Sequence, residues 1–114
     1  MKDISLIASN IEKWIQEQIT DAGAKGAVFG LSGGLDSAVV AALCKRALGE
    51  HCLAVVMPCH SHHIDVAHAE LIAKTFQIPY INVDLSNTFD ILLDTLNEHL
   101  PPGAKYPRGA ATNI

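Results

Sequence analysis

The fold turns on one stretch, Ala27-Val-Phe-Gly-Leu-Ser-Gly-Gly-Leu-Asp-Ser-Ala-Val-Val-Ala-Ala-Leu-Cys-Lys-Arg-Ala-Leu48. Its first five residues are apolar without alternation, as a strand covered on both faces reads. Ser32 to Asp36 then interrupt it with two adjacent glycines and polar groups. From Asp36 to Leu48 the residues are slim and apolar, with Gly49 just past the end and Lys45 and Arg46 near the negative pole of a helix. Strand, glycine turn and helix follow one another directly.

The flanks extend the alternation. Ahead of it, Ile4, Ile7, Ile11, Trp14, Ile15 and Ile19 form one helical stripe, with Asp3 or Ser5 as N-cap and Gly23 just beyond the end. Behind it, Leu53–Met57 reads as a second buried strand stopped by Pro58, and Asp65–Gln77 as a third helix. Tyr80–Asp84 predicts a third strand, and Ser86–Leu100 a fourth helix capped by Ser86 or Asn87. Residues 101–114 show no period and read as a loop-like tail.

A helix followed by strand–helix three times predicts an α/β fold with helices layered on a parallel sheet and right-handed crossovers. The expected strand order is 3-2-1, in three layers, with the sheet incomplete and its first strand open on one side. Residues 1–100 are expected to form one nucleotide-binding α/β domain, and residues 101–114 to lead toward a missing C-terminal half.

Composition narrows the function classes. The 114 residues are 49% hydrophobic and 18% charged, with a net charge of −4 and only eight Lys and Arg. That balance gives no electrostatic footprint for a nucleic acid. No apolar run is long enough for a membrane span, and no export signal is visible at the start. Three cysteines without a paired framework suit a reducing cytoplasm.

The glycine turn lies where parallel sheets bind ligands, at a strand's carboxyl end. Gly33 and Gly34 let a ligand approach the main chain, and the following helix offers unpaired amides and a partial positive charge. Ser32 and Ser37 add hydroxyl donors, so the turn reads as a phosphate cradle. Asp36 has two readings: a helix cap, or a ligand to Mg²⁺ lying between carboxylate and phosphate. Two other nucleotide loops are excluded. No lysine follows Gly34 until Lys45, and the glycine spacing does not fit G-x-G-x-x-G.

Ser32-Gly-Gly-Leu-Asp-Ser37 resembles the S-G-G-x-D-S signature of the N-type ATP pyrophosphatases, the PP-loop family. Together with the preceding amphipathic helix, Ala54-Val-Val-Met-Pro58, Ile81-Asn-Val-Asp-Leu85 and the terminal Thr112-Asn-Ile114, it resembles the NAD synthetase family. Either the ammonia-dependent form or the synthetase domain of the glutamine-dependent form fits. Chains of that family are longer, so the present one resembles an N-terminal part, inactive alone and retaining at most weak MgATP binding.

The resemblance implies a homodimeric ligase that amidates deamido-NAD with ammonia through an adenylated intermediate, using ATP and releasing AMP and pyrophosphate. It implies ATP contacts at Gly30, Leu31, Ser32, Gly33, Gly34, Leu35, Asp36, Ser37, Met57 and Pro58. Ser32 and Asp36 would be catalytic, with Asp36 the Mg²⁺ ligand. Met57 and Pro58 would border the adenosine, although Met57 also suits plain core. Alternatives are a GMP synthetase or tRNA-modifying relative, a nucleotide sensor without catalysis, and a purely structural pairing module.

Pro58–His68 holds Cys59, four histidines and Asp65, which invites a zinc reading. The spacing opposes it: His63 and His68 would sit about 140° apart on a helix, and no distant Cys–His pair completes a tetrahedron. The family carries serines in a P-S-x-x-S-S pattern here, so Cys59, His62 and His63 are departures, expected at the nucleotide rim. Asp84 reads as a cap or strand end, Cys44 as core, and Trp14 as core or subunit contact. Lys105 and Arg108 read as a solvated tail.

Overall fold

Asp3 opens the first helix as expected: its carboxylate accepts the Ser5 N–H at 2.9 Å. The computed structural model describes residues 3–106. In order they form α1 (Ile4–Asp21), β1 (Ala27–Gly30), α2 (Leu35–Leu48), β2 (Cys52–Val56), α3 (His63–Thr75), β3 (Tyr80–Asn82) and α4 (Ser86–His99). A short 3₁₀ turn, Pro102–Ala104, follows. The strands are parallel in the order β1-β2-β3, which is the expected 3-2-1 order seen from the other edge. Helices pack around this open sheet, and β1 forms one edge.

Side-chain alternation places the core. Cys52, Ala54 and Val56 lie on one face of β2 and share a buried cluster with Ala41 and Cys44 of α2 and Ala69 and Ala73 of α3. Both crossover helices therefore cover the same face. Alanines meet at the contact, so the helices approach closely with little bulk between them. Ile15 brings α1 against that cluster, and Arg46 of α2 pairs with Glu12 of α1 at 3.2 Å. On the opposite face Val28 and Ile81 remain 69% and 47% exposed.

Several boundaries differ from expectation for local reasons. α3 begins at His63, not Asp65, because His62 caps it: its Nδ1 accepts the Ile64 N–H at 3.2 Å. It ends at Thr75, where Gln77 takes a positive φ of 57° and the Ile78 N–H reaches the Ala73 carbonyl at 2.8 Å. β3 stops at Asn82 because Asp84 turns its carboxylate to the Ser86 N–H at 2.9 Å. That leaves Leu85 as the α4 cap position in place of Ser86 or Asn87. β1 and β2 end one residue early, at Gly30 and Val56, although the Leu31 N–H still reaches the Val55 carbonyl at 3.0 Å.

The start of the tail is tied back: Asn97 receives the Tyr106 N–H and donates to its carbonyl, at 3.0 and 2.9 Å. Arg108 and Thr112-Asn-Ile114 lie outside the described residues.

Candidate functional site at the carboxyl ends of the strands

The turn after β1 is built by its own hydroxyls. The Gly34 N–H points at Ser32 Oγ at 3.3 Å, Ser32 Oγ lies 3.0 Å from Ser37 Oγ, and the Ser37 hydroxyl donates to the Gly34 carbonyl at 3.2 Å. Since Ser37 gives its single proton to that carbonyl, Ser32 is the donor between the two hydroxyls. Ser37 Oγ also accepts the Ser32 N–H at 3.1 Å. Both hydroxyl protons of the two serines expected as ligand donors are thus used within the turn, where they hold its shape.

Gly33 is the wedge. Its φ is +86°, and an added Cβ would lie 2.9 Å from the Asp65 carbonyl and 3.2 Å from the Ala69 nitrogen. Only glycine combines that backbone angle with such close approach to α3. At the strand side, a Cβ on Gly30 would meet Met57 Cε at 3.4 Å.

The amides divide into two sets. Those of Ser32 and Gly34 are taken by serine hydroxyls. The first helical bond of α2 is from the Ala38 N–H to the Gly34 carbonyl. The N–H groups of Leu35 and Asp36, in the turn before it, have no hydrogen-bond acceptor among the described residues. Among the described residues no side chain caps this helix. The positive end of α2 thus faces outward with unclaimed donors.

A cavity of about 170 Å³ lies beside the turn, lined by Leu31, Ser32, Met57, Pro58, Ser61 and Asp65 together with the apolar Val56, Val66 and Ala69. The structure so brings four of the expected residues, Leu31, Ser32, Met57 and Pro58, to one wall system. Gly30, Gly33, Gly34 and Ser37 shape the turn behind it. Leu35 and Asp36 stand outside the cavity lining on the exposed first turn of α2, where Leu35 is 79% exposed. The Asp36 carboxylate has no hydrogen-bond partner among the described residues, so it does not serve as a cap. Met57 is half-exposed, which removes it from the core reading.

Sequence reasoning missed Ser61 and Asp65 as cavity residues. Asp65 sits in the first turn of α3, at the carboxyl end of β2. The same rule that singled out the turn after β1 applies to the one after β2, and it was the signal available. The histidines disperse: His60 pairs with Asp90, and His62 stacks on His63 with ring centres 4.5 Å apart. Among the described residues no three His, Cys, Asp or Glu side chains converge on a metal position.

A profile of the NAD synthase family matches residues 7–107. The chain belongs to the NAD synthase family. It is 41% identical over 93 residues to the NH₃-dependent NAD⁺ synthetase of Finegoldia magna, covering 82% of this chain and 39% of that protein. It is 48% identical over 82 residues to the NH₃-dependent NAD⁺ synthetase of Alkaliphilus oremlandii, covering 69% of this chain and 33% of that one. Among solved structures, the NH₃-dependent NAD synthetase of Campylobacter jejuni, in complex with nitrate, superposes with a TM-score of 0.78 at 32% identity. That match covers 83% of this chain and 42% of the Campylobacter chain. An NMN synthetase from Francisella tularensis gives a TM-score of 0.81 at 22% identity over 92% of this chain and 44% of that one, a likeness of fold. The chain thus spans a third to about two fifths of the length of these NAD synthase relatives.

Proposed function

We propose that this chain is the ATP-binding part of an amide ligase that makes NAD from deamido-NAD and ammonia. The carboxylate of deamido-NAD attacks the α-phosphorus of ATP, pyrophosphate leaves, and ammonia then displaces AMP from the adenylate. Residues 1–100 form the nucleotide-binding unit in this reading, and residues 101–114 lead toward the rest of the ligase. The observation that carries it is the outward-facing start of α2, with unclaimed amides at Leu35 and Asp36 directly after a turn held by Gly33 against α3.

The chemistry follows from charge. Departing pyrophosphate gathers negative charge, and amides already aimed outward stabilise it without reorganising. Ser32 and Ser37 hold the turn that aims these amides and would offer hydroxyl protons to phosphate by releasing the acceptors they use within the turn, while Gly30, Gly33 and Gly34 keep side chains out of the way. Leu31 closes the floor, while Met57 and Pro58 offer an apolar border for adenosine. The exposed Asp36 carboxylate, without a partner among the described residues, fits a Mg²⁺ ligand, with phosphate oxygens supplying other positions. Bound there, the ion would offset charge on the leaving group. No side-chain nucleophile is needed.

In this reading the ligase acts in the cytoplasm; among the described residues no helix is long and apolar enough to cross a membrane. Exposed Ile4, Ile7 and Trp14 along α1 agree with assembly as a homodimer. The test uses the protein as encoded in full, with ATP, Mg²⁺, deamido-NAD and ammonium. NAD and AMP should accumulate in equal amounts, and NAD formation without AMP would overturn the mechanism.

A further inference from the structure

The far wall of the cavity is fastened to α4 by a set of polar contacts centred on His60. Its Nε2 lies 2.7 Å from Asp90 Oδ1, and its backbone N–H donates to Ser86 Oγ at 2.8 Å. Its ring meets Phe89 edge-on at 6.1 Å. Two residues earlier, the Pro58 carbonyl accepts the Leu85 N–H at 2.7 Å. His60 itself holds a φ of +52°, a left-handed conformation disfavoured by residues with a Cβ. Such a backbone persists where surrounding contacts over-determine it.

The contacts matter because α4 buries little of its own surface. Leu93 is its one buried residue, and it lies outside the main buried cluster. Met57, Pro58 and Ser61, which line the cavity, flank His60 on both sides. The segment that walls the cavity and the start of α4 are therefore one mechanical unit.

We propose that His60 is a positioning residue: through Asp90 and Ser86 it couples the docking of α4 to the shape of the nucleotide-binding wall. The inference rests on the reading that a nucleotide occupies this cavity. By linkage, nucleotide binding then tightens α4, and loosening α4 weakens nucleotide binding by the same factor.

The experiment takes the protein as encoded in full and measures MgATP affinity by calorimetry, with hydrogen exchange of the α4 amides as a second readout. His60→Gly removes the ring yet relieves the backbone, so it separates the clamp from the turn. Asp90→Asn keeps the shape of its partner and guards against simple unfolding. Each variant should raise Kd for MgATP about three- to tenfold, in line with loss of a charge-assisted hydrogen bond at a partly exposed site. The double variant should be no weaker than the weaker single one. MgATP should slow exchange across Ser86–Phe89 in the unaltered protein and in neither variant. Unchanged affinity and exchange in folded variants, beside an unaltered protein that binds MgATP, would overturn the coupling alone. An unaltered protein that binds no MgATP would remove the nucleotide reading and the coupling with it.

Discussion

The Ser32 and Ser37 hydroxyls, 3.0 Å apart, close a ring of hydrogen bonds that runs from the Gly34 N–H through both oxygens back to the Gly34 carbonyl. A turn that would otherwise rest on two glycines is thereby fixed before any ligand arrives. Ser37→Ala opens the ring and strands the Ser32 N–H. It should lower unfolding stability by about 1 kcal/mol, measured by urea denaturation. It should also weaken MgATP binding, and equal affinity would show that the ring has no part in holding the nucleotide.

Gly33→Ala tests the wedge. The new methyl meets the Asp65 carbonyl at 2.9 Å while the backbone sits at φ +86°. Both effects point one way, so a loss of about 1–3 kcal/mol is expected. Thermal denaturation would read it, and a melting temperature within error of the parent would contradict the assigned contact with α3.

Asp36→Asn separates the charge from the fold. On the exposed first turn of α2 the carboxylate contributes only the modest helix-end term, about 0.3–1 kcal/mol. Stability should hardly move. ATP affinity, however, should lose its dependence on Mg²⁺, which titrations with and without the ion would show.

Gln77→Gly should stabilise the protein. Gln77 closes α3 at φ +57°, where its N–H reaches the Lys74 carbonyl at 3.2 Å. Glycine adopts that angle without penalty, so a gain of about 0.5–1 kcal/mol is expected in urea denaturation. A loss would mean that the Gln77 side chain makes a contribution of its own.

Asp84 gives an acid-side prediction. Its hydrogen bonds from the Ser86 side chain and backbone, and secondarily the nearby His60, hold its carboxyl below the usual Asp range. A depressed folded value means that its stabilisation is present above the ordinary Asp pKa of about 3.9 and fades as pH falls through the lower folded one. Acid titration followed by circular dichroism should show the start of α4 loosening only in that window. Asp84→Asn should flatten this component.

Much of this architecture was legible because it depends on patterns that repeat. Ile4 to Ile19 at helical spacing, the apolar runs at Ala27 and Leu53 and the glycines after them read directly as elements, and alternation of strands with helices fixed the parallel order. Ser32 to Ser37 were legible for the same local reason: the turn and its hydrogen bonds lie within six residues.

What stayed hidden was long-range. Nothing near Asp65 announces that its carbonyl leaves no room for a side chain at Gly33, and nothing near His60 announces Asp90, thirty residues away. His62 as a helix cap was also missed, because capping by a ring nitrogen has no counterpart in the usual Ser, Thr, Asp and Asn preference.

The sheet face opposite α2 and α3 has a practical consequence. Val28 lies bare there on β1, which forms one edge of the sheet, and Ile81 on β3 two strands away. Handled by itself in solution, this polypeptide will seek copies of itself through that greasy strip. Light scattering across a dilution series should accompany every binding titration, and Val28→Lys offers a handle for keeping the sample monodisperse.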